Sequence, residues 1–272
     1  VKVLLTRAAS GAVYVLLVLG SLFLGPYTFA SLLLVLILLG LMEYRVLAEK
    51  LSGSPALWAM LPAGILLYLA AAGFFMGLAG EELLLFTLLP GFALFVAGLY
   101  RKKATAFMGM ALEVLSLVYV VLPLSLLNAM LHLDAVAGMP SRSLVLAFLV
   151  FIWTGDTFAY LTGRWLGRHK LFERLSPKKT WEGFFGGLVF SVVASVIFAG
   201  LYTQIPLFGW IMYAIVVVTA GTFGDLTESM LKRNAGVKDS GNLIPGHGGV
   251  LDRLDSILLA APFAYIYLRY VV

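Results

Sequence analysis

Apolar runs of about twenty residues, each closed by a short polar island, succeed one another along nearly the whole chain. They predict nine helices, over Ala8–Leu24, Tyr27–Leu47, Leu57–Leu78, Leu83–Tyr100, Ala106–Leu131, Ser143–Thr162, Gly183–Tyr202, Trp210–Thr227 and Ser256 to Val272. At 1.5 Å of rise per residue, a run of this length reaches across the ~30 Å hydrocarbon core of a bilayer. The expected fold class is therefore all-α, a polytopic membrane helix bundle of about nine transmembrane helices. Lys2 and Arg7 ahead of the first run imitate a signal peptide, but that run leads through Gly25 and Pro26 straight into a second, as a retained span would.

The polar residues are distributed unevenly. Residues 1–105, holding spans one to four, are poor in distinctive polar groups and read as a scaffold; the island of Glu43, Arg45, Glu49 and Lys50 closes their first hairpin. Residues 106–142 supply span five, with Glu113 and Pro123, and an external loop. Residues 143–272 hold spans six to nine and two long polar loops, 163–182 and 228–255, and read as the catalytic region. The glycines of the GFFGG segment, Gly183, Gly186 and Gly187, suit close helix–helix packing.

Composition agrees with this picture and narrows it. Hydrophobic residues make up 61% of the chain and charged ones 12%, outside the soluble globular range; mean hydropathy is +1.00. With no cysteine there is no disulfide, thiolate metal site or cysteine nucleophile. The net charge of +5 has a simpler source than nucleic acid. With nine spans, 17 Lys and Arg residues fall on the N-terminal side of the membrane, and only Arg142 and Arg269 on the other. By the positive-inside rule the N-terminus is cytoplasmic, the C-terminus outside, and both polar loops face the cytoplasm.

The most polar stretch is Ser229 to Asp255, SMLKRNAGVKDSGNLIPGHGGVLDRLD. Its backbone is interrupted by five glycines and Pro245, so it cannot lie against lipid, where unpaired backbone groups are not tolerated. Asp252 and Asp255 are three residues apart where the last helix begins, hence one turn apart on one face; helix capping is the plainer reading, though two carboxylates exceed what one cap needs. Asp225 and Glu228 repeat the spacing at the end of span eight, where the helix dipole disfavours negative charge. Oxygen-only ligands suit hard Mg²⁺, alone or with a second cation, while salt bridges to Lys232, Arg233, Lys238 or Arg253 are the alternative counter-charge. In PGHGG, glycines let backbone N–H groups approach an anion, and His247 between them suits a polar or acid/base contact. GxxxxGK[ST] is absent, so this is not a P-loop. A metal site, an anion cradle and a basic cluster at the membrane surface suit phosphoryl or nucleotidyl transfer.

Residues 229–255, read as S-M-L-K-R-x4-K-D-S-G-x2-I-P-G-H-G-G-V-L-D-R-L-D, resemble the signature of the integral-membrane phosphatidate cytidylyltransferases, or CDP-diacylglycerol synthases. GDLTESMLKR leading into it and SPKKTWEG at 176–183 add to the likeness, and TRAASG at 6–11 is loosely similar to the family's N-terminal segments. The resemblance implies phospholipid biosynthesis at the cytoplasmic (inner) membrane: CTP and phosphatidate as substrates, CDP-diacylglycerol and pyrophosphate as products, and Mg²⁺ as cofactor. It places Asp225, Asp252 and Asp255 on the metal, with Glu228 as a weaker candidate, and makes Asp225, Asp252, Asp255 and His247 the catalytic set. Ser229, Lys232, Arg233, Lys238, Asp239, Gly246, Gly248, Gly249 and Arg253 would bind substrate, with Lys178 and Lys179 bordering the same mouth. The bilayer is an expected partner and nucleic acid is not; a homo-oligomer is compatible with the sequence.

Two other classes compete. A secondary transporter could use Glu113, Asp156 and Asp225 as an intramembrane ion relay, although no duplicated halves are visible. A CDP-alcohol phosphotransferase would carry a DGx2AR-type motif, which this chain lacks.

Overall fold

The structure is a computed structural model that describes residues 2–54, 57–102, 104–133, 138–246 and 248–272, without the side chains of residues 2–8 and Leu84. Eleven α-helices and one β-hairpin are found among them: α1 (Lys2–Leu24), α2 (Pro26–Ser52), α3 (Met60–Phe75), α4 (Glu82–Phe86), α5 (Leu89–Leu99), α6 (Ala106–Ser116), α7 (Leu122–Ala129), α8 (Arg142–Leu166), β1 (Lys170–Phe172), β2 (Ser176–Thr180), α9 (Trp181–Leu201), α10 (Leu207–Asn234) and α11 (Leu251–Tyr270). Five helical stretches are long and apolar enough to cross a membrane: Pro26–Ser52, Ala106–His132, Arg142–Leu166, Trp181–Leu201 and Leu207–Asn234. The chain is thus an α-helical, multi-pass membrane protein.

Several predicted spans differ in the structure, each for a local reason. Span four is two helices, α4 and α5, because Pro90 at the start of α5 lacks an N–H and its ring crowds the preceding turn. Span five keeps its length but changes winding. Leu117–Val121 forms a π-helical turn between α6 and α7, with the Leu122 N–H donating to the Leu117 carbonyl five residues back. Pro123 beside it removes one ordinary helix bond, and the wider turn re-satisfies the neighbours. Apolar helix α3 has only 16 residues, fewer than the ~20 a perpendicular span needs. The polar loop 163–182 holds an element that the sequence did not announce: β1 and β2 pair antiparallel, Lys170 opposite Thr180 and Phe172 opposite Ser176. Strands of three and five residues are too short for hydrophobic periodicity to announce.

The chain divides into two compact units. Unit 1 comprises residues 1–129 and 231–254; unit 2 comprises residues 130–230 and 255–272. Unit 1 is organised around α2, which packs on α1, α3, α6 and α7. Its buried face of Phe29, Leu33, Ile37, Leu41, Tyr44 and Leu47 follows the three-to-four-residue spacing of one helix stripe. The Tyr68 hydroxyl of α3 donates to the Ala30 carbonyl at 2.7 Å, satisfying a buried polar atom.

In unit 2, α8 and α9 pack along much of their length. A Cβ at Gly187 would lie 2.5 Å from the Gly155 carbonyl, and one at Gly183 would lie 2.7 Å from that of Ala159, so these glycines let the two backbones touch. The Thr180 side chain caps α9 by accepting the Gly183 N–H at 3.2 Å. Phe151, Phe198, Trp210 and Tyr213 form a buried aromatic cluster, in which the Tyr213 hydroxyl donates to the Leu144 carbonyl.

Candidate active site

Helix α10 runs seven residues past the predicted end of its span and carries Asp225, Glu228, Ser229, Lys232 and Arg233. Helix α11 begins at Leu251, placing Asp252 and Asp255 in successive turns. The predicted site residues on these helices and their connecting loop fall into two clusters, one in each unit.

The cluster in unit 2 is acidic. Asp255 lies within electrostatic reach of Asp225, Glu228 and Asp156, and its Oδ1 accepts the Ser256 N–H at 2.7 Å. Lys179, at the end of β2, meets Asp225 at 2.6 Å and also donates to the Thr222 carbonyl, while the Ser229 hydroxyl donates to Asp225 at 3.3 Å. Glu228 is fully buried and Asp225 and Asp255 are half-buried. Asp156, on α8, joins this group although the substrate-site reading of the sequence left it out. A lone carboxylate within an apolar run was its only signal.

Like charges gathered and partly desolvated call for cations. The donor chemistry fits Mg²⁺, since the group offers carboxylate oxygen alone. No group of three or more such side chains among the described residues is already drawn to metal-ligand spacing. An ion held here would complete its shell with water and substrate oxygens, as Mg²⁺ commonly does.

The cluster in unit 1 is built on the loop between α10 and α11. Lys232 meets Asp252 at 2.6 Å, and both are buried. The other oxygen of Asp252 accepts the Gly249 N–H at 2.7 Å and both the N–H and hydroxyl of Ser240 at 3.0 Å. Asp252 is thus engaged by four donors from its own loop and helix α10. Arg233 is exposed and donates to the Val237 carbonyl, closing the end of α10. The Ser10 hydroxyl of α1 donates to the Pro245 carbonyl at 3.2 Å, which brings the TRAASG segment onto the same loop.

Beside this network an open cleft of about 550 Å³ is lined by Lys238, Asp239, Gly241, Asn242, Gly246, Gly248 and Arg253, among others. Lys238 and Arg253 present exposed cations to it, and Gly246 and Gly248 have φ of 75° and 83°, a backbone shape that L side chains avoid. Gly249 takes a different part from the one expected, since its N–H goes to Asp252 rather than facing the cleft. Lys178 is exposed on β2, and His247 lies outside the described residues.

Sequence reasoning missed Glu43. This α2 carboxylate is 9% exposed and accepts the Ser240 hydroxyl at 2.8 Å, the Val250 N–H at 2.9 Å and the Leu251 N–H at 3.0 Å. It answers the unpaired N–H groups and positive dipole end that begin α11. Glu113, considered above as part of an ion relay, is fully buried against Arg101 at 2.7 Å and holds α6 to the segment before it.

Comparison with known proteins bears on the chemistry of these clusters. Relatives include the phosphatidate cytidylyltransferase of Haemophilus influenzae, 45% identical over 145 residues, which are 50% of this chain and 50% of that one. That of Bacillus subtilis is 47% identical over 121 residues, 44% of this chain and 45% of the relative. The chloroplastic phosphatidate cytidylyltransferase 5 of Arabidopsis thaliana is 48% identical over 119 residues, 43% and 30% respectively. The alignments therefore span about half or less of these relatives' lengths. A profile of the cytidylyltransferase family, by contrast, matches residues 5–271, taking in both clusters and the helices that carry them. On that match the chain belongs to the cytidylyltransferase family.

Proposed function

We propose that the chain is a CTP:phosphatidate cytidylyltransferase of phospholipid biosynthesis, Mg²⁺-dependent, working at the cytoplasmic face of the inner membrane. The observation that carries this reading is the family match over residues 5–271. The two clusters supply groups of the right chemistry, and the family offers no support for the transporter alternative.

In the reaction a phosphate oxygen of phosphatidate attacks the α-phosphorus of CTP. A new P–O bond forms in line as the bond from the α-phosphorus to the bridging oxygen breaks, and pyrophosphate leaves with the electron pair. Lys238 and Arg253 neutralise the polyphosphate in the cleft, where backbone at Gly246 and Gly248 leaves room for phosphate oxygens. Lys179 orients Asp225, and Lys232 fixes Asp252 and through it the loop. Asp225 and Asp255, with Glu228 in support, would hold Mg²⁺. When bound, the ion would supply positive charge to phosphate oxygens brought to it. Ionised phosphatidate attacks without a separate protein nucleophile, so positioning and charge neutralisation supply the catalysis. With the 17:2 distribution of Lys and Arg favouring a cytoplasmic N-terminus, CTP reaches the loop from water and the lipid arrives from the bilayer.

The test supplies purified protein with phosphatidate, Mg²⁺ and each of the four labelled nucleoside triphosphates in turn. CDP-lipid and pyrophosphate should form with CTP and fall to background with EDTA. Absence of lipid product with every nucleotide overturns the reading.

A further inference from the structure

Glu43 lies about 200 residues before the loop it holds, on a helix that the predicted chemistry does not otherwise use. Its position is nevertheless determined in detail. Oε1 takes the Val250 N–H, while Oε2 takes the Leu251 N–H and the Ser240 hydroxyl. The same hydroxyl lies 3.0 Å from Asp252, so its one proton is shared between two buried carboxylates, and Lys232 completes the chain of contacts. Two glycines of the loop make room for the arrangement. A Cβ at Gly241 would stand 2.6 Å from Glu43 Oε1, and one at Gly249 would collide with both Glu43 Oε2 and the Ser240 hydroxyl.

We infer that Glu43 is a positioning residue for the anion-binding cleft. It ties the middle of the loop at Ser240 to the loop's C-terminal end at Val250 and Leu251, holding the stretch that carries Gly241, Gly246 and Gly248, with Lys238 and Asp239 just before it, in the conformation that receives a polyphosphate before that ligand arrives. Three observations separate this from ordinary helix capping. A single cap needs one acceptor for one or two N–H groups, whereas Glu43 also reaches Ser240, ten residues earlier in the loop. The carboxylate comes from a distant helix rather than from the residues that directly precede α11. Gly241, which lines the cleft, and Gly249 admit it on the loop rather than in a helix interface. A loop fixed in advance forfeits less ordering entropy when its ligand binds, so the clamp acts on affinity. The inference rests on the proposed function for the identity of the ligand, a nucleoside triphosphate.

The test uses the full chain in detergent with lipid, and measures equilibrium binding of CTP and of inorganic pyrophosphate, thermal unfolding, and KM for each substrate. Glu43→Gln places an amide N–H₂ against backbone donors and should weaken binding of both anions about tenfold or more. KM for CTP should rise similarly, KM for phosphatidate should hold within about twofold, and the unfolding temperature should stay within a few degrees of the parent. Ser240→Ala, which removes the hydroxyl between Glu43 and Asp252 but leaves Glu43 on the Val250 and Leu251 N–H groups, should weaken CTP about threefold; it carries the same test if Glu43→Gln does not fold. The double variant should bind no worse than Glu43→Gln alone, since both remove one contact path. Unchanged CTP affinity in Glu43→Gln, or in Ser240→Ala where only that variant folds, overturns the inference and leaves the proposed function standing. A parent chain that binds neither anion and makes no CDP-lipid overturns both.

Discussion

Asp252 and Asp255 are one turn apart on α11, yet their surroundings differ. Asp252 accepts from Lys232, Ser240 and Gly249, so Asp252→Asn should break a buried ion pair. Losing one partner of such a pair costs about 3–5 kcal/mol. The expected outcome is a large drop in unfolding midpoint, with activity lost as a consequence, measured by denaturant titration in detergent. Asp255→Asn should do the reverse. It removes one of four clustered negative charges, so stability should hold or rise while turnover falls at least about a hundredfold at saturating substrates. Equal destabilisation by both variants would contradict this division. The sequence made the two aspartates look equivalent because spacing shows which side chains share a helix face, but not which loop atoms come to meet each one. Glu43 was hidden for the same reason: among the charges that close a hairpin it has no local peculiarity, and its partners lie some 200 positions away.

Helices were legible in proportion to their apolar length. Spans six, seven and eight correspond to α8, α9 and α10, whose long runs leave hydropathy little to confuse. Breaks at Pro90 and near Pro123 were foreseeable from proline chemistry, yet which of the two would split a helix and which would widen a turn depended on packing. The β-hairpin before α9 was not legible at all, because eight residues in two strands carry too little pattern. The GFFGG glycines of α9 were read as packing residues, and the backbones of α8 and α9 do approach at Gly183 and Gly187. Gly187→Ala should therefore push α9 from the Gly155 carbonyl and destabilise unit 2 by about 1–3 kcal/mol, as overpacking does. Unfolding curves of the purified variant measure this, and a stability unchanged from the parent would show that the contact has slack.

At the scale of the whole molecule, the absence of cysteine makes orientation directly measurable, since any introduced thiol is the only one present. Glu173→Cys in the loop before α9 should react with a membrane-impermeant maleimide only in inside-out vesicles, and Arg142→Cys only in right-side-out ones. The opposite pattern would invert the orientation read from the Lys and Arg distribution. Both residues are exposed, so accessibility is not the limiting factor.

Unit 1 is assembled from residues 1–129 and from 231–254, which are separated in the chain by 101 residues of unit 2. During synthesis, α2 and its Glu43 leave the ribosome long before Ser240, Val250 and Leu251 exist. Until then Glu43 has none of the loop donors that later surround it, and an ionised carboxylate near the bilayer is costly to leave unanswered. The first segment of unit 1 must accordingly wait, with water or headgroups at Glu43, while the whole of residues 130–230 is inserted. Closing the clamp is one of the last events of biogenesis, and it is a long-range contact of the kind that forms slowly. A nascent chain halted before residue 240 would hold most of its helices and none of the loop contacts that surround Glu43.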